Sequence, residues 1–447
     1  MANQSSTISR RSLLRWGATA GIAGSALAAC GSPDTTEPSP GSSGASAGPA
    51  TLRFAFWGSD DRIRRFQEAC ELFTEKNPNI QIQPEFGAID AIRTKTTVAM
   101  AAQNLPDVTW LLGDLFPQMV TDGHLLELTP YLDAGIATDG FSDSVLAPGI
   151  YDDKQYGLTH GLQSIGVFAK APVLEELDIP IKTYPEAYTW EEYASYAVQA
   201  HEVMGDNFYG TDDPSYAGAN NYFRAYARQR GQDLWSDTGD LGFTEDLLTE
   251  WLTYWKDLRD SQGTVPTSLA LEQNPYFEGA PMIRGLAAFH MRNSNQILEL
   301  QSLSSEPLVL LPSPGNGGSG NENIGLDPNF LGIASNTDYP DAAVKFVDFL
   351  LNDPDRAEII GTTIGAPPSQ AMRDVITPTV SESERQFLEY ISFEAAAETK
   401  PIPAARPTAG AFQTGMTQAI ETLAFDQATI EETITTIFGD LRGQLLA

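Results

Sequence analysis

The first part of the folded chain alternates short apolar runs with amphipathic ones. The predicted elements are, in order, a strand over 52–57, a helix over 60–77, a strand over 80–84, a helix over 91–103 and a strand over 107–112. This β-α-β-α-β order predicts an α/β fold with a mostly parallel sheet and helices on both faces. Ligands of such sheets lie at the carboxyl ends of the strands.

The later chain keeps the mixed α/β pattern. Thr189 and Glu192 have the spacing of a capping box, which predicts a helix that continues to His201. Trp251 and Trp255 lie on one helical stripe with three leucines, so core packing is favoured over a ligand platform. Further helices are predicted over 342–351, 382–398 and 429–446.

The amino terminus has the pattern of an export signal. Arg10 and Arg11 precede a weakly apolar stretch that ends in Leu-Ala-Ala followed by Cys30. Twin arginines favour twin-arginine translocation, and the final residues resemble a bacterial lipobox, which makes 1–29 the signal and Cys30 the lipidation site. The alternative is a transmembrane anchor, but the stretch is shorter than the roughly 20 residues that span a bilayer.

Residues 30–50 are rich in Gly, Ser and Pro and contain almost nothing to bury. This composition predicts a flexible linker between the lipidated cysteine and the folded part. The expected location is therefore extracytoplasmic, on the outer face of the cell membrane.

Charge limits the partners. The chain has 27 basic and 59 acidic residues and a net charge of −32. Nucleic acid is therefore excluded as an expected partner, because no broad basic surface can displace counterions from phosphates. An anionic membrane surface would also repel the protein, so we expect membrane attachment through lipid on Cys30. Once Cys30 carries lipid, Cys70 has no disulfide partner, and its position in an apolar helical stripe predicts a buried thiol.

Catalytic patterns are weak. The four histidines lack metal-ligand spacing, and Ser164 lacks the glycine that a nucleophile elbow places two residues earlier. The glycine-rich segment 315–320 is predicted to be a loop and 237–242 a hairpin turn, so no metal or cofactor is expected. A glycosidase needs only two suitably spaced carboxylates, and this alternative stays open.

The chain from Thr51 onward resembles the sugar-binding group of extracellular solute-binding lipoproteins that serve ABC importers, a group similar to maltose-binding protein. The motifs that carry the resemblance include Phe-Trp-Gly-Ser-Asp-Asp-Arg (56–62), Leu-Pro-Asp-Val (105–108), Gln-Tyr-Gly-Leu-Thr-His-Gly-Leu-Gln (155–163), Ser-Asn-Gln (294–296) and Gly-Ala-Pro-Pro-Ser (365–369). Each motif is weak alone, and their order and spacing are typical of the family.

The resemblance implies a two-lobed periplasmic-binding-protein-like fold, with lobes joined by crossing strands that close over a ligand. Lobe 1 is expected to comprise 51–160 and 312–352, and lobe 2 to comprise 161–311 and 353–447. The crossings are expected near 160–164, 310–313 and 351–355. Closure is a hinge motion in which the ligand favours the closed state.

The resemblance also implies a sugar site. A sugar needs an aromatic ring for its C–H face and planar polar side chains for its hydroxyls. The expected ligand-binding residues are Trp57, Asp60, Asp61, Asp90, Gln163, Tyr222, Asn295, Asp327 and Asn329. Trp57 could instead belong to the core, and Asp60 or Asp61 could cap the helix.

The resulting expectation is a monomeric, lipid-anchored protein that captures an oligosaccharide and delivers it to the transmembrane subunits of an ABC permease, without catalysis. Arg292-Asn293 before Ser-Asn-Gln and Trp110-Leu111-Leu112 after Pro-Asp-Val depart from the family pattern, which indicates a reshaped pocket. The alternatives are a secreted glycoside hydrolase, or the same fold binding a polyamine or a glycerophosphodiester.

Overall fold

A computed structural model describes residues 49–113, 115–215, 219–271, 277–316, 326–396, 406 and 408–447. The strands are β1 (Ala50–Trp57), β2 (Ile80–Gly87), β3 (Val108–Leu111), β4 (Ile150–Tyr151), β5 (Lys154–Gln155), β6 (Leu158–Gln163), β7 (Ile165–Lys170), β8 (Tyr209–Thr211), β9 (Ala287–Asn293), β10 (Leu308–Pro312) and β11 (Asp327–Ile333).

Helices alternate with these strands and dominate the carboxyl-terminal part. They are α1 (Asp60–Lys76), α2 (Ile89–Ala101), α3 (Phe116–Thr121), α4 (Asp143–Leu146), α5 (Ala171–Glu176), α6 (Trp190–Met204), α7 (Ala219–Gln229), α8 (Glu245–Asp260), α9 (Thr267–Leu271), α10 (Ile297–Leu303), α11 (Pro340–Asn352), α12 (Pro354–Ile360), α13 (Gln370–Ile376), α14 (Glu382–Ala396), α15 (Ala409–Ala424), α16 (Ile430–Thr435) and α17 (Arg442–Leu446).

The first sheet has the strand order β2-β1-β3-β11-β6. β1 is parallel to both β2 and β3, so the predicted β-α-β-α-β unit is confirmed. Pro84 lacks the N–H that a central strand would need, and β2 accommodates it because it is an edge strand. β11 lies antiparallel between β3 and β6 and makes the sheet mixed.

The second sheet has the order β10-β7-β9-β8. β7 is antiparallel to both β10 and β9, and β8 is parallel to β9. The expectation of mostly parallel strands is wrong for this sheet. The cause is that β7 starts two residues after β6 ends and joins the second sheet without a crossover helix, so its neighbours are not linked to it by β-α-β units.

The chain passes between the two sheets at identifiable places. One passage is Ser164, between β6 and β7, and another lies between β10 and β11. A third segment reaches β6 at Ala366, which exchanges two backbone hydrogen bonds of 2.8 Å with Leu162.

A crossing was expected near 351–355, and this third segment contacts β6 at Ala366. α12 packs against α1, and Lys76 at the end of α1 forms 2.7 Å ion pairs with Asp353 and Asp355. α12 therefore accompanies the first sheet. The position of the third crossing and the division into lobes both stay predictions.

Two large cores lie against the two sheets. The first contains Phe54, Phe66 and Cys70, and the second contains Trp251 and Trp255, each fully buried. The core interpretation of both tryptophans and of the cysteine is confirmed. Burial raises the pKa of the Cys70 thiol to about 12, so this thiol stays protonated at neutral pH.

Local signals are also confirmed. Thr189 accepts a hydrogen bond from the backbone N–H of Glu192, whose side chain accepts one from the backbone of Thr189. Ser236 and Asp240 close the predicted hairpin turn with a 2.8 Å backbone hydrogen bond.

Within the described ranges, no helix is both long and apolar enough to span a bilayer. The signal, Cys30, the linker up to residue 48 and 317–320 of the glycine-rich segment lie outside the described residues.

Candidate functional site

A pair of tryptophans stands at the carboxyl ends of two parallel strands. Trp57 ends β1, Trp110 lies on the neighbouring β3, and their stacked rings have centroids 4.0 Å apart with an interplanar angle of 29°. Trp110 is buried, whereas Trp57 is half-buried and packs on the margin of the first core. The core interpretation of Trp57 is thus met in part, and its role in ligand binding stays a prediction.

Arg62 covers the inner ring of this pair. It lies in the first turns of α1, and its guanidinium carbon is 5.3 Å from the centroid of Trp110. Its Nε donates to the hydroxyl of Thr363 at 3.2 Å, and its Nη2 donates to the carbonyl of Thr363. Arg62 thus links α1 to the segment that follows α12. Burial lowers its pKa, and attraction from Glu299 on α10 opposes this shift.

His160 on β6 completes the aromatic cluster. Its ring meets Trp110 edge-on, with centroids 4.8 Å apart at 88°. It is 1% exposed, and neither ring nitrogen has a hydrogen-bond partner. Burial, followed by repulsion from Arg356 and Arg62, lowers its pKa well below the usual value, so this imidazole is neutral.

The acidic residues expected after β1 and β2 are exposed. Asp60 and Asp61 are the first two residues of α1, and the N-cap position belongs to Ser59. Neither aspartate is therefore the cap, although their charges suit the helix dipole. Asp61 forms 2.7 Å ion pairs with Arg64 and Arg65, which lower its pKa despite partial burial.

Asp90 lies in the first turn of α2 and is also exposed. Among the described residues, no hydrogen bond, ion pair or ring contact joins it to the tryptophan pair. Its role in ligand binding stays a prediction, as do those of Asp60 and Asp61.

Three expected residues meet where the chain leaves the first sheet. Gln163 is half-buried at the end of β6, and its register partner on β11 is Asp327. The side chain of Asp327 lies outside the described part of the structure. Asn329 donates its amide to the carbonyl of Ile364 at 2.9 Å, which ties β11 to the third crossing segment.

Asn295 is placed beside the first crossing. It lies in the 3₁₀ turn Ser294–Gln296 after β9. Ser294 donates its backbone N–H to the carbonyl of Ser164 at 2.7 Å, and its hydroxyl accepts the N–H of Ser164 at 3.1 Å. The side-chain carbonyl oxygens of Asn295 and Gln296 are buried without a partner, so two acceptors remain unsatisfied near this crossing.

Tyr222 on α7 is buried in the second core, and the guanidinium carbon of Arg292 lies 6.0 Å from its ring centroid. Arg292 is ion-paired with the fully buried Asp212 at 2.5 Å, and His290 lies 3.1 Å from the same carboxylate. Attraction by Arg292 and His290 outweighs burial and lowers the pKa of Asp212. Sequence reasoning did not find this polar group, because its members are far apart along the chain.

The structure therefore brings Trp57 together with Trp110, Arg62 and His160, and brings Gln163, Asn329 and Asn295 to the crossings. Arg62 and His160 were missed, although both lie within quoted motifs. Trp110 was noted as a departure, and the predicted parallel pairing of β1 with β3 was the signal that could have placed it beside Trp57. Among the described residues, no cluster of His, Cys, Asp and Glu could hold a metal ion.

Two cavities lie elsewhere on the surface. One of about 370 Å³ is lined by residues of β1, β2 and α2, including Arg53, Glu85 and Thr96. The other, of about 390 Å³, is lined mainly by α13 and α14, including Arg373 and Arg385. Neither lining includes the tryptophan pair, and neither cavity contributes to the candidate site.

Comparison with known proteins identifies the family of the chain. Residues 68–385 match the family of bacterial extracellular solute-binding proteins. An uncharacterized lipoprotein from the oleD 5′ region of Streptomyces antibioticus is 22% identical over 343 residues, which are 73% of this chain and 72% of that protein.

Solved structures share the fold. An extracellular solute-binding protein of family 1 from Alicyclobacillus acidocaldarius matches with a TM-score of 0.71 at 25% identity, over 90% of this chain and 100% of that one. A periplasmic oligogalacturonide binding protein from Yersinia enterocolitica, in complex with saturated digalacturonic acid, matches with a TM-score of 0.72 at 19% identity, over 89% and 99%. The mixed α/β fold is that of periplasmic solute-binding proteins.

Proposed function

Since the chain belongs to the bacterial extracellular solute-binding proteins, we propose that it is the lipid-anchored substrate-binding protein of an ABC importer. It captures an oligosaccharide in the cleft between two lobes, works as a monomer and delivers the sugar to the transmembrane subunits of a permease. The ligand-binding residues that we expect are Trp57, Asp60, Asp61, Asp90, Gln163, Tyr222, Asn295, Asp327 and Asn329.

The observation that carries the proposal is the half-buried face of Trp57, supported from behind by Trp110. A pyranose ring has an apolar C–H face that gains free energy by stacking on such an indole. Because Trp110 and the first core hold the indole in place, little side-chain entropy remains to be lost on binding.

Hydroxyl recognition is assigned to polar groups at the crossings. The unpartnered carbonyl oxygens of Asn295 and Gln296 are acceptors for sugar hydroxyls, because a buried acceptor without a partner costs free energy until a ligand supplies a donor. Ser294 links this turn to Ser164, so a ligand held here and at Trp57 contacts both sheets and favours closure.

Membrane attachment follows from the amino-terminal pattern. The twin arginines predict export by the twin-arginine route, and Cys30 predicts lipidation. The relative from Streptomyces antibioticus is described as a lipoprotein, which supports this part of the proposal.

Thermal unfolding of the full-length protein against a panel of mono- and oligosaccharides tests the proposal. A ligand at about 100 times its dissociation constant adds roughly 2.7 kcal/mol to the free energy of unfolding and raises the Tm by several degrees. The proposal expects a shift with one class of sugar, which is recovered unaltered by chromatography. Consumption of the sugar would favour a glycoside hydrolase, and a shift with spermidine or glycerophosphocholine in place of sugars would favour a different solute.

A further inference from the structure

We propose that the sugar carries a carboxylate, as a uronic acid does, and that Arg356 and Arg62 at the crossings bind this carboxylate. The inference rests on the proposed function, because it assigns the class of sugar to the same cleft. It is argued from buried positive charge that forms no ion pair with a carboxylate of the described residues.

Arg356 is the first observation. It lies on α12, is 2% exposed, and its Nε and Nη2 are buried without any hydrogen-bond partner. Burial lowers its pKa to about 9, with Asp353 opposing the shift. The side chain therefore keeps its charge at neutral pH, and a buried charge without a counterion is strongly unfavourable.

Other buried arginines in the described ranges are satisfied. Arg228 is ion-paired with Asp233, and Arg292 with Asp212. Arg373 donates from Nη1 to the carbonyls of Pro367 and Pro368, at 2.7 and 3.0 Å. Unlike these three side chains, the guanidinium of Arg356 has no hydrogen-bond partner at Nε or Nη2. We infer that a ligand supplies the missing acceptor.

Arg62 adds a second positive charge. Its side-chain hydrogen bonds go to the neutral hydroxyl and carbonyl of Thr363, and no carboxylate of the described residues lies within 4.0 Å as an ion-pair partner. Repulsion from both Arg356 and Arg62 lowers the pKa of His160, so both guanidinium groups are close enough to His160 to influence its ionisation. His160 is neutral there, and its ring nitrogens have no partner.

The position of these residues connects them to the ligand cleft. His160 lies four residues before the first crossing at Ser164, and Arg62 is bonded to Thr363 of the third crossing segment. Arg356 lies on the helix that leads into this same segment. Arg62 and His160 both contact Trp110 of the tryptophan pair.

A carboxylated sugar matches this group. Its apolar face stacks on Trp57, while its carboxylate accepts charge-assisted hydrogen bonds in the planar fork geometry that a guanidinium presents. A neutral sugar would leave the buried charge unpaired, and sites with unpaired buried polar groups discriminate strongly. The overall net charge of −32 is an average over the chain. Asp61 and Asp212 are ion-paired with arginines, and burial raises the pKa of Glu299, the carboxyl that attracts Arg62.

Isothermal titration of the full-length protein with digalacturonate and with the neutral digalactose of the same linkage tests the inference. We expect digalacturonate to bind at least about tenfold more tightly. Equal or tighter binding of digalactose would overturn the inference and leave the proposed function in place. If neither disaccharide nor any sugar of the thermal panel binds, the proposed function itself fails, and binding of glycerophosphocholine instead would overturn both.

A pair of matched variants shows whether Arg356 is responsible. Arg356→Met should remove the preference for digalacturonate and, because it removes an unpaired buried charge, should keep or raise the Tm of the ligand-free protein. Arg373→Met, the control, should lower the Tm by leaving two carbonyls unpaired, with no change in the preference. An Arg356→Met protein that retains the preference would overturn the assignment.

Arg356→Lys keeps the charge and loses the fork, so a reduced but measurable preference is expected. Arg356→Lys also serves as the test if Arg356→Met does not fold. If Arg356→Lys showed no preference for digalacturonate over digalactose, the claim that positive charge at this position selects the acid sugar would be wrong.

Discussion

At the scale of single residues, the different burial of two tryptophans predicts that one contributes mainly to ligand binding and the other mainly to stability. Trp57 is half-buried at the margin of the first core, whereas Trp255 is fully buried in the second core. The two side chains have the same chemistry and different surroundings, so their removal should affect different measurements.

Trp57→Ala should weaken sugar binding by about 1 to 3 kcal/mol through lost stacking and burial, with a much smaller change in the free energy of unfolding. Calorimetry and urea unfolding measure the two quantities. Trp255→Ala is the control and should lower the free energy of unfolding by about 3 to 5 kcal/mol. Unchanged affinity in Trp57→Ala would remove this residue from the site.

Glu394 on α14 gives a second residue-scale prediction. It is 2% exposed, both carboxyl oxygens lack partners, and burial raises its pKa to about 8. The folded state therefore holds a proton that the unfolded chain releases near pH 4.3. As the unfolded state binds fewer protons in this interval, the contribution of Glu394 to the free energy of unfolding falls as pH rises from about 4.3 to about 8.

Glu394→Gln should remove this loss of stability, because glutamine does not titrate. The Tm of the variant minus the Tm of the wild type should therefore increase between about pH 5 and pH 8. Glu389→Gln changes an exposed residue on the same helix and serves as the control. A Tm difference that does not vary with pH would show that Glu394 does not titrate in this range.

At the scale of elements, the site depends on the contact of β6 with the third crossing segment. A Cβ built on Gly161 would lie 2.1 Å from the carbonyl oxygen of Ile364, which is backbone and cannot move aside cheaply. The same carbonyl accepts the amide of Asn329, so β6, β11 and the crossing meet at one place. The absence of a side chain at Gly161 is what allows this approach.

Gly161→Ala should therefore lower the free energy of unfolding by about 1 to 3 kcal/mol, as overpacking does, and should also weaken sugar binding by displacing the crossing. Gly443→Ala, on the exposed side of α17 with open space around its Cβ, should be stabilising by up to about 1 kcal/mol. Urea unfolding compares the two proteins, and equal stability would argue against a tight crossing.

At the scale of the whole molecule, the net negative charge bears on the proposed membrane attachment. A protein with a net charge of −32 is repelled by anionic lipid, so the membrane attachment that we propose depends on acyl chains at Cys30.

Cys30→Ser should release the protein from membranes without changing its affinity for sugar or its Tm, because the described fold begins after the linker. Fractionation of cells that express each form provides the measurement. Cys70→Ser is the matched control and should remain in the membrane fraction, and a Cys30→Ser protein that still sediments with membranes would refute lipidation.

The sequence by itself determined the local structure. The β-α-β-α-β unit, the capping box at Thr189, the core positions of Trp251 and Trp255 and the burial of Cys70 were all readable, because periodicity and capping depend on neighbours within one or two turns. The order of family motifs also determined the fold, since each motif marks a position within it.

The tertiary structure decided which distant segments meet. The insertion of β11 between β3 and β6, the contact of β6 with Ala366 and the pairing of Arg62 with Thr363 join residues that are far apart in the chain. The unpaired charge of Arg356 could not be foreseen either, because the sequence shows a charged residue but not its burial. Burial and partnership depend on all the packed elements at once, and only the assembled fold fixes them.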